Sequence, residues 1–177
     1  ISVHLTDGTK EIIIGTREGM LVRFKEDDIR SMGRTAAGVR GIKLREGDHV
    51  VGMEILEPGQ EILVVTEKGY GKRTPEEEYR LQSRGGLGLK TMQITEKNGK
   101  MCAVKAVDGT EDIMLITING MLIRMDVKDI SVIGRSTQGV RLIRLSDEEI
   151  VATVARVKKD EDVIDDEELE ETEQTEQ

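Results

Sequence analysis

An internal repeat of about 50 residues constrains this chain more than any other feature. Three segments align, near residues 11–56, 61–107 and 112–157. Each begins with an apolar run that favours a β-strand, reading EIIIGT, EILVVT and DIMLIT. Repeats of this length form small structural units that bury their apolar faces by packing against one another. The chain is therefore predicted to fold as an array of similar units.

Each repeat opens with the pattern of a β-hairpin. A glycine follows the apolar run as Gly19, Gly69 and Gly120, and a second strand-like segment comes directly after it. Glycine readily adopts the positive φ that tight turns between antiparallel strands require. Asn119 before Gly120 strengthens the pattern in the third repeat. We predict a two-residue hairpin turn ending in this glycine in every repeat.

A glycine-containing box and a closing strand complete each repeat. The boxes read GRTAAGVRGIKL, SRGGLGLKTMQI and GRSTQGVRLIRL, and the closing segments read VVGMEIL, MCAVKAV and IVATVARV. About four strands recurring at this period are typical of propeller blades. The initial segment ISVHL aligns with a closing strand, so we expect a fragment or processed product that begins inside a repeat. The predicted fold is all-β and propeller-like: three four-stranded blades plus one extra strand within residues 1–157.

Charge divides the sequence into two parts. The net charge is -9, but eleven of the 35 acidic residues lie in residues 160–177, which contain no basic residue. The preceding residues therefore carry 24 acidic and 26 basic side chains, or about +2. We predict that residues 158–177 form an acidic, disordered tail. It either only solubilises the chain or also competes with a polyanion for the folded part.

Enzymatic activity has little support in the sequence. Cys102 is the single cysteine, and His4 and His49 are too isolated to suggest metal ligands. No serine or cysteine nucleophile motif occurs. Tyr70 takes a position that methionine fills in the other repeats, which indicates packing. The single cysteine fits a reducing compartment, and no apolar run approaches the roughly 18 residues of a membrane helix, so we expect a cytoplasmic protein without a membrane partner.

Basic residues return at matching places in the repeats. Because equivalent positions of stacked units share an edge, they are expected to form a basic stripe that binds a polyanion. Aromatic residues make up only 2% of the chain, which leaves few platforms for single-stranded bases and favours the duplex backbone. The candidate DNA-binding residues are Arg34, Arg40, Lys43, Lys72, Arg73, Arg84, Lys90, Arg124, Arg135, Arg141 and Arg144.

The glycine-rich stretch from Gln82 to Gly88 has two interpretations. Its backbone amides could cradle a phosphate, or its glycines could serve backbone shape alone. It lacks the Gly-Lys-Ser/Thr ending of a P-loop, and strands rather than a helix adjoin it. The spacing leaves both interpretations open.

The boxes, together with the run TEKGYGKRTPEEEYRLQSRGGLGLKT and the acidic end, resemble the carboxy-terminal domain of the bacterial DNA gyrase A subunit. The resemblance implies a β-pinwheel whose blades exchange strands and whose basic rim wraps DNA without cutting it. It also implies a nucleoid-associated enzyme with the rest of the A subunit, a B subunit, ATP and Mg²⁺. No cofactor or metal is expected in this chain, and the cleaving tyrosine is expected outside it.

Two departures from the family pattern matter. The family's signature box has Gln, two basic residues, Gly-Gly, a basic residue and Gly, and the blade that carries it is absent here. A degenerate version has serine and leucine where two basic residues would stand; it comprises Gln82, Ser83, Arg84, Gly85, Gly86, Leu87 and Gly88. The complete family domain has about six blades, so an exposed blade edge could cause self-association. The alternatives are a topoisomerase IV domain, a protein-interaction propeller and, third, a small-molecule enzyme.

Overall fold

The computed structural model describes residues 2–146 and 148–159. Within these residues the regular structure consists of strands and single 3₁₀ turns, with no α-helix. The 3₁₀ turns are Glu26–Asp28, Glu76–Glu78 and Val127–Asp129. The strands are β1 (Glu11–Thr16), β2 (Met20–Lys25), β3 (Val50–Leu56), β4 (Glu61–Thr66), β5 (Tyr70–Pro75), β6 (Leu89–Lys90), β7 (Met101–Val107), β8 (Glu111–Thr117), β9 (Leu122–Asp126), β10 (Val140–Arg141) and β11 (Val151–Lys158).

The strands form three antiparallel sheets, one for each repeat. The first has the order β3-β1-β2-β6, and the second has the order β10-β5-β4-β7. The third contains β11, β8 and β9. Each sheet is built on the hairpin of one repeat, with the closing strand of that repeat on one side.

Neighbouring sheets exchange strands. The outer strand of the first sheet, β6, belongs to the second repeat and pairs with β2 through Leu89 and Lys90. In the same way, β10 of the third repeat pairs with β5 of the second. A sequence repeat is therefore offset from a structural blade, and two blades depend on the box of the following repeat.

The inner glycines of the second and third boxes explain how the exchanged strands dock. Gly88 has a φ of 76°, and a Cβ built on it would lie 2.5 Å from the carbonyl oxygen of Leu21. At Gly139, with a φ of 74°, a Cβ would lie 2.8 Å from the carbonyl oxygen of Gly71. Only glycine fits both the conformation and the close approach. These glycines are therefore required for blade assembly.

Apolar side chains pack between the sheets. In β4, Ile62 and Val64 contribute to the core with the first sheet, whereas Leu63 and Val65 pack toward the third. All four are fully buried. Because β4 is covered on both faces, its sequence reads as a continuous apolar run rather than an alternating one. Each such side chain contributes about 1.5–3 kcal/mol to folding by leaving water.

The closing strands lie on the inner side of the array, where β7 contacts both β3 and β11. Equivalent positions on these strands hold Glu54, Lys105 and Arg156. The Lys105 ammonium lies 2.6 Å from the buried Glu54 carboxylate, and Arg156 lies 3.8 Å from it. An ion network thus joins the three blades along their inner edge.

Three sequence predictions need comment. Each hairpin loop ends in glycine as predicted, but the loop has three residues rather than two. In the first repeat, Gly19 N–H donates to the Thr16 carbonyl to close the turn, and Gly19 itself has a positive φ. The prediction of an extra strand is wrong for Ser2–Leu5, which lie outside every sheet with Val3 and Leu5 highly exposed, because no hairpin among the described residues pairs with them. The predicted tail from residue 160 lies outside the described residues, and Lys158 belongs to β11.

Candidate nucleic-acid interface

The sheet topology gives every blade an inner and an outer edge. Closing strands contact one another on the inner side, and the exchanged strands β6 and β10 lie at the opposite edge of their sheets. The box strands are therefore on the outer edge of the array. This placement decides which of the predicted basic residues face solvent together.

Five basic residues of the boxes are exposed at or next to this outer edge. Lys90 and Arg141 lie on the exchanged strands, and Arg40 has the equivalent position in the first box. Lys43 and Arg144 follow three residues after Arg40 and Arg141. None of the five forms an ion pair with a carboxylate of residues 2–146 or 148–159. We call these residues the outer-edge cations.

Arg73 was expected on an exposed stripe, and the structure corrects this placement. Its guanidinium donates to the Glu61 carboxylate at 2.5 Å and to the Ile130 carbonyl at 2.9 Å. Its side chain is only 12% exposed. Arg73 therefore ties the second hairpin to the 3₁₀ turn of the next repeat, and Arg23 makes the corresponding contacts with Glu76 and Tyr79.

Arg124 has the same register position in the third hairpin but different surroundings. Arg73 is opposite Leu63, and Arg124 is opposite Met114. The guanidinium of Arg124 contacts Asp112 at 2.7 Å, and the side chain remains 44% exposed. No following repeat is present in the described residues to cover it. The contrast between these two arginines shows how much burial comes from the neighbouring blade.

Lys72 also departs from the exposed stripe. It is fully buried, and its ammonium donates to the carbonyls of Gly134 and Arg135 and to the Thr137 hydroxyl. Burial, opposed by the nearby Glu78 and reinforced by Arg135, lowers the pKa of Lys72 to about 8. The side chain of Lys72 therefore holds the third box in place and is turned away from any outer ligand.

The second-position arginines of the boxes are partly structural. Arg84 donates to the carbonyls of Asp28 and Arg40, and Arg135 donates to the carbonyl of Lys90. Both therefore fasten their box to the preceding repeat. Arg34 is exposed, and residues 2–146 and 148–159 provide no hydrogen-bond acceptor for its guanidinium.

The glycine-rich box serves backbone packing. Gly85 N–H donates to the Gly41 carbonyl at 2.6 Å, and the Gly86 carbonyl accepts from Lys43 N–H at 2.8 Å. The Gly85 amide is thus engaged within the protein, which favours the backbone-shape interpretation over a phosphate cradle. Ser83 and Leu87 are exposed, whereas Gln82 is partly buried with its Oε1 unpaired.

Sequence reasoning missed two exposed arginines next to the boxes. Arg30 and Arg80 recur at the same offset, just after the 3₁₀ turns of the first two repeats. Arg80 shares an open pocket with Lys25 where the first two blades meet. Comparing the repeats position by position between hairpin and box would have identified them. These residues extend the basic character beyond the outer-edge cations.

Catalytic groups are scarce in the part of the chain that the structure covers. No cluster of three metal-ligating side chains occurs there. Burial raises the pKa of the Cys102 thiol to about 12, which keeps it a poor nucleophile. Tyr79 is buried against Thr91, and burial raises its pKa. No helix among the described residues is long and apolar enough to cross a membrane.

The comparisons identify the family. A family model described as "DNA gyrase C-terminal domain, beta-propeller" matches residues 10–57, 60–108 and 111–158. This chain belongs to the DNA gyrase C-terminal domain family. The DNA gyrase A subunit of Staphylococcus aureus strain MRSA252 is 55% identical over 164 residues. That alignment covers 92% of this chain but 18% of the relative, so the chain spans about a fifth of that protein.

Solved structures of the family support the same fold. A gyrase A C-terminal domain matches with a TM-score of 0.80 and 25% identity, covering 86% of this chain and 52% of that one. A topoisomerase IV C-terminal domain matches with a TM-score of 0.84 and 26% identity, covering 89% and 49%. The predicted all-β, propeller-like fold is therefore confirmed. The 55% identity to the Staphylococcus aureus gyrase protein favours gyrase over topoisomerase IV.

Proposed function

We propose that this domain binds duplex DNA along its outer edge and bends it around the blades. The observation that carries the proposal is the recurrence, at the outer edge of successive repeats, of exposed cations that form no ion pair with the described residues. A row of such charges attracts phosphates at several points and releases counterions. The proposed contact set comprises Arg40, Lys43, Lys90, Arg141 and Arg144, with Arg34 exposed beside them.

The proposal excludes the inward-turned residues from direct contact. Lys72 and Arg73 bind carbonyl oxygens of the next repeat, and Arg84 and Arg135 bind those of the preceding one. Their contribution to DNA binding is to fix the box strands that carry the outer-edge cations. Arg124 is paired with Asp112, so it could bind a DNA phosphate only after breaking that contact.

A salt titration tests the binding mode. The affinity of the purified chain for a fluorescent duplex should fall steeply with salt, with a log–log slope of about −0.9 for each phosphate contacted. Sequence should matter little, since the outer edge presents strands and loops rather than a base-reading helix. Binding that ignores salt, or no binding at low salt, would refute the proposal.

A pair of matched variants tests the location. Lys90→Gln removes a charge from the exposed outer strand β6, and Lys158→Gln removes the same charge from the exposed end of the inner strand β11. We expect Lys90→Gln to weaken binding and reduce the salt slope by about 1. Lys158→Gln should change neither. Equal effects of the two would show that net charge, not the outer edge, controls binding.

Within the whole enzyme, the domain would support ATP-dependent supercoiling and contribute no catalytic group. It would act beside the rest of the gyrase A subunit and the B subunit, in the bacterial cytoplasm and near the nucleoid. ATP and Mg²⁺ would be bound by other parts of the enzyme. The cleaving tyrosine would likewise lie in another part of the enzyme.

Self-association is a second proposed property. The β9 edge of the third sheet has no exchanged strand among the described residues, and Met121 and Leu122 on this hairpin are 47% and 61% exposed. Open apolar edges pair with strands of other molecules. Sedimentation velocity should show concentration-dependent oligomers that Leu122→Lys reduces. A monomer at all concentrations would contradict this property without affecting the DNA proposal.

A further inference from the structure

A basic pocket lies where the second blade meets the box of the third repeat. It has a volume of about 430 Å³ and is open to solvent. Small-molecule sites of this size are lined mainly by apolar groups, whereas four cations line this pocket. The residues that define it are Lys68, Tyr70, Lys97, Arg141 and Arg144. We call it the Tyr70 pocket.

Tyr70 organises the cations of this pocket. Its hydroxyl accepts hydrogen bonds from Nε and Nη2 of Arg141, at 3.2 and 2.8 Å. The guanidinium carbon of Arg141 lies 5.4 Å from the ring centroid, and Nζ of Lys97 lies 5.8 Å from it. Both distances allow cation–π attraction. The ring is mostly buried, so it is a rigid wall that fixes the direction of Arg141.

The two carboxylates in the pocket lining leave an excess of positive charge. Glu149 accepts from the Thr117 hydroxyl, and the Glu96 backbone carbonyl, rather than its carboxylate, accepts from Lys68. Neither glutamate forms an ion pair with the four cations among the described residues. Among the described residues of the lining, four cations and two anions give a net charge of +2. The pocket therefore favours an anionic group.

The equivalent junction between the first two blades lacks this arrangement. Register places Met20 opposite Lys90, just as Tyr70 is opposite Arg141. Met92 and Ile143 donate backbone hydrogen bonds to Gly19 and Gly69, which makes Gln93 the counterpart of Arg144.

The two junctions also differ in a carboxylate that is found at the first junction. Glu18 stands where the second blade has Lys68, and it is paired with Lys100 at 2.6 Å. The first junction therefore has fewer cations than the second, because Glu18 and Gln93 stand where the second junction has Lys68 and Arg144.

We propose that the Tyr70 pocket seats a phosphate of the duplex backbone as DNA passes from the second blade to the third. The proposal rests on the DNA binding proposed above, and it makes the Tyr70 pocket the strongest single contact between the domain and the DNA backbone. Arg141 and Arg144 supply charge-assisted hydrogen bonds, and Tyr70 is a positioning residue that holds Arg141 toward the ligand. The remaining outer-edge cations act as weaker, diffuse contacts.

Exchanging residues between the two junctions tests the proposal. The variant Tyr70→Met/Arg144→Gln gives the second junction residues that the first junction already accommodates, so folding should be retained. Its affinity for duplex DNA at low salt should fall by about three- to tenfold, with a loss of about 1 in the salt slope. Tyr70→Phe should produce part of this loss, because it removes only the hydroxyl that orients Arg141.

The reciprocal variant Met20→Tyr/Gln93→Arg builds two elements of the pocket at the first junction. It should raise affinity and steepen the salt dependence. If both double variants bind like the unmodified chain while Lys90→Gln still weakens binding, the pocket is refuted and the outer-edge proposal stands. If the unmodified chain binds no duplex, the proposed function itself fails.

Tyrosine NMR separates DNA phosphate from free phosphate. The chain has two tyrosines, so ring ¹³C labelling gives one reporter in the pocket and one buried control, Tyr79. Duplex DNA should shift the Tyr70 resonance and leave that of Tyr79 unchanged, and millimolar inorganic phosphate should act weakly. A Tyr70 shift with inorganic phosphate alone, and none with duplex, would overturn assignment of the pocket to DNA.

Discussion

Replacing Arg73 by alanine should destabilise the domain far more than replacing Arg124. Both arginines have the same register position on the second strand of a hairpin. Arg73 binds a carboxylate and two carbonyls, at Glu61, Ile130 and Lys128, with 12% of its side chain exposed. Arg124 binds only Asp112 among the described residues, with 44% exposed. The pair therefore isolates the effect of the neighbouring repeat.

The expected magnitudes follow from burial. Removing one partner of a buried ion pair costs about 3–5 kcal/mol. Glu61 is 23% exposed and regains some hydration, so we expect about 2–4 kcal/mol for Arg73→Ala. An exposed pair is worth about 0–1 kcal/mol, which is the expected effect of Arg124→Ala. The difference between the variants should be about 2–3 kcal/mol.

Urea unfolding of both variants measures this difference. With a denaturant slope of about 1–3 kcal/mol per molar, the midpoint of Arg73→Ala should fall by about 0.7–3 M more than that of Arg124→Ala. Equal midpoints would refute the structural role. So would reduced DNA affinity of folded Arg73→Ala at unchanged stability, which would return Arg73 to the DNA-contacting residues.

Three further outcomes are expected. Burial lowers the pKa of Lys72 from 10.5 to about 8 in the folded chain, so the unfolded chain binds more protons between these two pH values. The free energy of unfolding, compared with that of Lys72→Met, should therefore rise with pH across this window by at most about 3 kcal/mol. Urea titrations at a series of fixed pH values measure this rise. Arg84→Ala and Arg135→Ala should lower the thermal midpoint, whereas Arg34→Ala should leave it unchanged and weaken duplex binding; equal thermal shifts would contradict the carbonyl contacts. Deleting residues 160–177 should raise duplex affinity most at low salt if the acidic segment competes with DNA, and unchanged affinity at every salt concentration would leave only a solubilising role.

The repeats made much of the fold predictable from the sequence. Apolar runs and hairpin glycines located the central strands, because backbone preferences there agree with burial. The length of the turn was predicted wrongly. A two-residue Asn119-Gly120 turn needs a positive φ at both residues, whereas in the structure Gly120 has a positive φ and Asn119 does not. The segment predicted as a strand at residues 1–5 resembles the closing strands in sequence, but residues 2–5 pair with no hairpin among the described residues. Strand pairing depends on the neighbouring strands rather than on local sequence alone.

The candidate interface was less predictable than the strands. Lys72 and Lys90 look alike in sequence, yet one ammonium binds buried oxygens and the other lies in solvent. The difference arises from strand exchange, which covers the second hairpin with the third box and leaves the box strand itself outside. Charge periodicity located basic positions, and only the packing between repeats separated contacts within the protein from those available to a ligand.

Strand exchange also means that cutting the chain between repeats would not separate blades. A protease that cleaved at the loop near Pro58 would leave Leu89 and Lys90 hydrogen-bonded to the fragment containing Met20 and Leu21. The two pieces would remain interlocked through a strand that each needs. Likewise, duplication of one repeat in evolution would not copy a complete blade. It would copy the hairpin and closing strand of one blade together with the box strand that completes the preceding blade. The array could thus lengthen while every new member was already fastened to its neighbour.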